Sequence, residues 1–310
     1  MWILEQARET AGRTRAKATF VGTVAVVLWS SLAPLTAMAR GIPPLELLAA
    51  TFGIGYLCGQ IWLRIKYGRS SLRKPAYPYA FACCATAALS GYHALYFLAL
   101  SLAPPAQACL VAYLWPLLMV LLSAASNGGD RVRPAQLMGA VLGFAGTGLV
   151  VLSGDGDPIR HRHRAFGLLA ALSCALIWSS YSVFNRRFRE VPSEAMIDIC
   201  GLVAVIGCSA HLLLDSHTVF PLGSQWLAIA ALGAAPVGLS FLAWDYATKH
   251  GQVATLGTIS YAAPVLSTLQ LVMLGYTPAS LGLLSASALV VGGAWIATAS
   301  THAGDRVQRS

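Results

Sequence analysis

Trp29-Ser30-Ser31 sits in an apolar run of the chain, and the same triplet comes back as Trp178-Ser179-Ser180. Three further matches follow in the same order. Pro44-Leu45-Glu46 is answered by Pro192-Ser193-Glu194, Tyr113-Leu114-Trp115-Pro116 by Tyr261-Ala262-Ala263-Pro264, and Pro134-Ala135 by Pro278-Ala279. One match is chance. Four in one order, about 148 residues apart, are an internal repeat, and a repeat decides the architecture before any other feature is read.

The repeat runs through a chain of 310 residues that is 56% hydrophobic and 11% charged, where a soluble domain carries roughly 45–50% and 25%. The charges are clustered. Between them lie apolar stretches of about 20 residues, the length that crosses about 30 Å of hydrocarbon at 1.5 Å rise per residue. Ten can be drawn, near 18–39, 45–65, 76–102, 106–126, 134–153, 165–185, 194–214, 225–247, 252–274 and 278–299. A cytosolic enzyme, a secreted disulfide domain and a disordered chain are excluded. The expected fold is an all-α membrane protein of ten transmembrane helices. Connections are short, so residues 1–310 form one membrane domain, with repeat one over about 18–153 and repeat two over about 165–299.

The net charge of +9 is read by position and does not signal nucleic acid. With the N-terminus inside, 17 of the 21 Lys and Arg fall in inner segments, and only Arg40, Arg160, Arg162 and Arg164 fall in outer loops. That excess predicts both termini in the cytoplasm, although the basic Arg160–Arg164 loop runs against the rule. Ala37-Met38-Ala39 after an apolar run imitates a signal-peptide cleavage site, but the repeat includes that run, so no cleavage is expected. The seven cysteines all lie in apolar stretches, where cysteine behaves as a small hydrophobe. Vicinal Cys83-Cys84 finds no second ligand pair, and no metal or cofactor is expected.

Five spans per repeat is an odd number, so the second copy is expected to be inverted relative to the first. Inverted repeats recur in secondary transporters, with the substrate site near the midplane where the halves meet. Depth along the spans singles out candidate lining residues: Tyr92, His93 and Tyr96 in the third, Tyr113 and Trp115 in the fourth, and Trp178 in the sixth. Phe241 and Trp244 follow in the eighth span, Ser260 and Tyr261 in the ninth. Tyr92 and Tyr96, four apart, share one helical face. Tyr and Trp usually gather at the membrane interfaces; at mid-depth they need a buried hydrogen-bond partner or a watery cavity. Taken singly, each could equally be packing between helices. As a set they suit a cavity that stacks on flat or amphipathic solutes, and ring faces attract an ammonium group. His93 could bind a substrate carboxylate, relay a proton or hydrogen-bond a neighbour.

Pro116 and Pro264 are expected to kink the fourth and ninth helices and so to serve gating. Each lacks an N–H and frees the carbonyl four residues earlier, on Ala112 and Ser260, as a possible acceptor for a substrate ammonium. Gly55-x-x-x-Gly59, Gly139-x-x-x-Gly143 and Gly292-Gly293 read as close helix contacts.

With these residues in place, the chain resembles the drug/metabolite transporter superfamily, specifically its ten-helix EamA-type exporters. The Trp-Ser-Ser helix of each half, Tyr246-Ala247-Thr248 leading to Pro264, and Pro134-Ala135-Gln136-Leu137 through Gly139, Gly143 and Gly146 carry the resemblance over about residues 18–299. Tyr92-His93, Tyr96 and Tyr113-Leu114-Trp115-Pro116 resemble its aromatic amino-acid exporter branch more narrowly. The family often has a Gly-Glu pair after the fourth and ninth helices, where this chain has Asn127-Gly128-Gly129-Asp130 and Gly275-Tyr276. The resemblance implies export of aromatic and other neutral amino acids, or of drugs and other metabolites, out of the cytoplasm across the inner membrane; a monomer could do this, and the sequence sets neither oligomeric state nor energy coupling. The partners are then a small-molecule substrate and the lipid bilayer, with no nucleic acid.

An intramembrane hydrolase is the rival from another class, because Gly154-Asp155-Gly156-Asp157 matches the Gly-x-Gly-Asp element of intramembrane aspartyl proteases. It falls in an outer loop, away from the midplane, and Asp245 follows it in the reverse of that family's order. His161-Arg162-His163 reads as a solvated loop, since alternating arginines repel a cation. No Walker loop, nucleophile elbow or zinc-protease motif is present in the sequence.

Overall fold

A computed structural model of the chain describes residues 2–68, 77–118, 158–188, 190–214, 217–250 and 262–307, with isolated positions between these stretches. Every regular element among them is helical. Helix α1 (Trp2–Ser30) and the short α2 (Leu32–Met38) make the first crossing, broken at Ser31. The break has a chemical cause. Pro34 lacks the N–H that would bond the Ser30 carbonyl, and the Ser30 and Ser31 hydroxyls turn back onto the carbonyls of Val27 and Leu28, at 2.7 Å each. Helices α3 (Pro44–Tyr67), α4 (Tyr79–Leu102) and α5 (Pro105–Ala112) follow, each with a proline at its start or cap. At that position the missing N–H has no intrahelical partner to lose.

In the second half, α6 covers Pro158–Asn185, α7 Ala195–Leu214, and α8 Ser224–Leu232. A π-helical segment at Gly233–Leu239 contains Pro236 and joins α8 to α9 (Ser240–His250). Helices α10 (Ala262–Met273) and α11 (Leu281–Val307) complete the described part. The His161–Arg164 stretch, read from sequence as a loop, is helical within α6, and the Arg164 guanidinium donates to the Gln107 side-chain oxygen at 2.9 Å. The Gly154–Asp157 stretch lies outside the described residues.

Six helical stretches are long and apolar enough to cross a membrane: Ala16–Met38, Pro44–Tyr67, Tyr79–Leu102, Arg162–Asn185, Ala195–Leu214 and Ser224–Thr248. They coincide with the expected first, second, third, sixth, seventh and eighth spans. Shorter apolar helices at Pro105–Leu118, Ala262–Met273 and Leu281–Gly293 fall in the fourth, ninth and tenth. The expected fifth span, 134–153, lies largely outside the described residues. Ile61, Leu212, Leu213 and Leu227 are exposed, an apolar surface of the kind that faces lipid in a membrane protein.

Three helix pairs pack most extensively: α3 with α7, α4 with α6, and α1 with α9. Contacts at both ends fix α3 and α7 as antiparallel. The Glu194 carboxylate, just before α7, accepts from the Tyr67 hydroxyl at 2.9 Å and the Lys66 ammonium at 3.4 Å, at the far end of α3. Glu46, in the first turn of α3, accepts the Val219 N–H at 3.0 Å and lies 3.7 Å from His211 Nε2 in the last turn of α7. The two glutamates are the matched residues of the two Pro-x-Glu repeats, so each repeat's helix start clasps the other repeat's helix end. Gly55 and Gly59 do permit close approach: a Cβ on Gly55 would meet the Gly233 carbonyl at 3.1 Å, and one on Gly59 the Ile197 side chain at 2.7 Å. At Gly292 the expected contact is not seen, since among the described residues nothing lies within 4 Å of where its Cβ would stand. Gly143 lies outside the described residues.

Candidate functional site

The middle of the bundle is filled with rings. Trp178 on α6 stands at their hub, 5.9 Å from Trp29, 5.7 Å from Tyr92 and from Phe241, 6.4 Å from Trp115 and 5.5 Å from Tyr181, centroid to centroid. Trp29 adds Trp244 at 5.0 Å and Phe241 at 6.0 Å, and Trp115 meets Trp244 at 6.1 Å. Tyr92 and Tyr96 stack at 5.8 Å with their planes 8° apart, as their four-residue spacing on α4 requires. Most pairs here are edge-on or tilted, the arrangement that sets one ring's positive edge against another's negative face.

His93 is buried in the same cluster, with Phe52 at 4.8 Å, Tyr92 at 4.9 Å, Phe241 at 5.5 Å and Phe97 at 6.0 Å. Its Nδ1 lies 3.0 Å from the Leu89 carbonyl. A carbonyl only accepts, so that nitrogen carries a proton. The Tyr113 hydroxyl donates to the Trp29 carbonyl at 3.3 Å and ties the end of α1 to the end of α5. Polar cross-links flank the rings: Gln270 donates to the Ser30 hydroxyl at 2.9 Å, and the Cys109 thiol to the Ser267 hydroxyl at 3.3 Å.

Of the residues expected to line a cavity, Tyr92, His93, Tyr96, Tyr113, Trp115, Trp178 and Phe241 surround one space of about 30 Å³. Trp244 joins through its contacts with Trp29 and Trp115. Ser260 is buried, its hydroxyl donating to the Leu256 carbonyl at 2.8 Å within its own turn, and it does not line that space. Tyr261 lies outside the described residues. Pro116 follows a turn at Tyr113-Leu114 that interrupts the short apolar helix Pro105–Leu118, and Pro264 lies within α10. Sequence reasoning passed over Trp29, Leu32 and Phe52. The signal for Trp29 was in the repeat: it is the counterpart of Trp178, and the two meet edge to face at 86°.

A second and much larger space, about 840 Å³, opens at the end of the bundle that carries Lys66, Glu194 and His250. One wall is α3 (Cys58, Trp62), and the opposite wall is Val21 of α1 with Leu242 and Tyr246 of α9. Burial acts to raise the Glu194 carboxyl, but its own backbone N–H, the Tyr67 hydroxyl and Lys66 outweigh it and hold the group below its ordinary value. A depressed folded value means that the stability it contributes is present above the unfolded carboxyl's value and lost as pH falls through the folded one.

The helices that build this centre come in matched pairs from two stretches of sequence, and each stretch, residues 16–152 and 165–299, matches the profile of the EamA-like transporter family. The chain belongs to the EamA-like transporter family. Among relatives of this EamA-like transporter is the aromatic amino acid exporter YddG of Ancylobacter novellus, 46% identical, with 92% of this chain and 98% of the relative covered. The protein of the same name from Escherichia coli is 26% identical over 92% of this chain and 99% of its own. A crystal structure 47% identical in sequence superposes with a TM-score of 0.73, covering 92% of this chain and 99% of the other. The protein is thus a multi-pass membrane transporter, and the enzyme reading falls away.

Proposed function

We propose that this transporter exports aromatic and other neutral amino acids out of the cytoplasm across the inner membrane. In this reading it is a single membrane domain of ten helices, two inverted five-helix repeats with both termini cytoplasmic, working by alternating access. The observation that carries the substrate class is the ring cluster contributed by both halves, with Trp29, Tyr92 and Trp115 from the first meeting Trp178, Phe241 and Trp244 from the second. A planar side chain stacks on such faces and an ammonium is drawn to them. The printed names of the relatives point the same way.

The packing supports the inverted arrangement. If the first and second halves correspond span by span, the antiparallel pair α3–α7 is its own counterpart, and the pair α4–α6 corresponds to α9–α1. A two-fold axis in the membrane plane produces that pattern. The central space of about 30 Å³ is far below the roughly 300–1,000 Å³ of a small-molecule pocket, so the cluster is closed here and substrate admission requires the halves to rock apart. Pro116, beside the interruption at Tyr113-Leu114, and its repeat counterpart Pro264 are the positions where that bending is absorbed.

Purified protein in sealed liposomes tests the reading. Phenylalanine, tyrosine and tryptophan are expected to equilibrate across the membrane, with each slowing the others, while empty liposomes stay sealed; no flux of any neutral amino acid would end it. Topology is checked separately. Reporter fusions after Lys74 and after Lys249 are expected to report the same, cytoplasmic side.

A further inference from the structure

The central ring cluster, closed to about 30 Å³, leaves no room for an amino acid, yet the crevice of about 840 Å³ has room for one and falls in the size range of small-molecule pockets. Its lining comes from both repeats: Cys58, Trp62 and Lys66 from the first, Glu194, Leu242 and Tyr246 from the second. The orientation proposed above puts its mouth on the cytoplasmic side, where an exporter takes up its load.

Two charges stand together there, the Lys66 ammonium 3.4 Å from a Glu194 carboxylate oxygen. Lys66 also lies 4.6 Å from the centroids of both the Trp62 and Tyr67 rings, so the ion pair is set against an aromatic face that continues into the crevice. A fixed pair of opposite charges is the complement of another such pair laid head to tail. An ammonium has three donors and a carboxylate about four acceptor positions, so the pair can receive a second carboxylate and a second ammonium without separating. An α-amino acid carries those two groups on one carbon. Laid against the pair, its side chain points along Trp62 toward the apolar wall of Cys58 and Leu242.

We infer that this crevice is a loading site, distinct from the central ring cluster, that binds a zwitterionic aromatic amino acid through Lys66, Glu194 and the Trp62 ring. The inference rests on the export reading and adds to it where the substrate first binds. Closing one half on the other would empty the crevice as the centre opens, because residues of both halves line it.

Cys58 reports on the site, being exposed and part of its wall. With the other non-buried cysteines removed (C83A, C84A, C208A), the protein in liposomes is treated with a water-soluble maleimide in the presence and absence of phenylalanine. Phenylalanine is expected to slow Cys58 alkylation several-fold and saturably. Phenylalaninamide and 3-phenylpropanoate, each lacking one charge, are expected to protect less, and K66Q and E194Q each to require several-fold more phenylalanine. Y67F breaks one contact of the clasp but keeps both charges, so protection is expected to survive in it. Equal loss of protection in Y67F and K66Q would mean that the charges serve only the clasp, and would overturn the inference. So would equal protection by all three solutes, the behaviour of a greasy slot for lipid tails. An unchanged alkylation rate while phenylalanine flux continues would overturn the loading site and leave the export reading standing. Protection without flux would keep the site and end the export reading.

Discussion

Trp178→Ala is expected to reduce phenylalanine flux at least tenfold and to lower the melting temperature of the protein in detergent by several degrees, whereas Trp178→Phe is expected to keep both largely intact. The reason is position. Trp178 touches five rings, and three of them, Trp29, Tyr92 and Trp115, belong to the first half. It is therefore a joint between halves as well as a wall of the central space. Aromatic pairs contribute about 0.5–1.5 kcal/mol each beyond area burial, and replacing a buried Trp or Phe by alanine costs about 3–5 kcal/mol in soluble cores. Inside a membrane the water-exclusion part of that figure shrinks, because lipid tails are as apolar as the ring, and packing remains. The expected loss of stability is thus at the lower end. The loss of flux is larger, since losing even one stacking contact of about 1.4 kcal/mol with substrate is worth tenfold in occupancy. Phenylalanine at this position retains a face for stacking and most of the volume. Flux in liposomes and a detergent melting curve, read on the same preparations, separate the two effects. Wild-type flux in Trp178→Ala would reduce the ring cluster to packing alone.

Trp178 also shows how much could be read without coordinates. Its place in the ring cluster follows from depth along its span, and Tyr92, Tyr96 and Trp115 were legible on the same ground, because polar-tipped rings at mid-membrane have few reasons to be there. The six long apolar helices were legible from length alone. Trp29 was not placed in the site, although it occupies the same place in its repeat as Trp178. Composition weighs residues one at a time, whereas the repeat pairs Trp29 with Trp178, and the two meet edge to face. Phe52 was missed for a plainer reason: a Phe in a transmembrane run carries no polar atom, so depth says nothing about which way it faces. Its neighbours Phe241 and His93 could be known only once α3 was packed.

The backbone breaks divide in the same way. Pro116 and Pro264 were visible because the repeat pairs them. Pro34 and Pro236 were equally visible as letters, and the rule that proline frees a carbonyl four residues back applies to them as well. Pro34 breaks the first crossing at Ser31. Pro236 sits in the π segment, where the Ser240 hydroxyl turns back onto its carbonyl. Neither has a matching proline in the other half. A search for paired features therefore passed them by, though an extra residue in a helical turn is a frequent mark of a working site. The 840 Å³ crevice lay beyond any reading of the string, because it is the space left between packed helices, and a gap has no residue of its own.

That π segment gives the second large effect. Gly233→Ala is expected to abolish recovery of folded protein, while Gly282→Ala, the same exchange at an exposed helical position, is expected to leave it unchanged. Gly233 has ordinary right-handed helical angles, φ −67° and ψ −44°, so alanine is not excluded by conformation. In a helix the change would normally gain about 0.5–1 kcal/mol. Space excludes it. A Cβ on Gly233 would stand 2.6 Å from the Thr51 carbonyl oxygen and 2.6 Å from the Ile54 Cβ, both fixed to the backbone of α3, so no rotamer change can relieve the clash. Extra methyls in a well-packed interior typically cost about 1–3 kcal/mol, and this one strikes main chain, which moves the figure to the upper end or past it. The damage does not stay local. Moving α3 away from the π segment also moves it relative to α7, its largest partner, and pulls at both glutamate clasps. At Gly282 nothing among the described residues lies within 4 Å of the added carbon, and only the helix-favouring term remains. Monodisperse yield on size exclusion in detergent reads the contrast directly. A folded Gly233→Ala protein with normal yield would mean that α3 and the π segment do not meet as closely as these distances require.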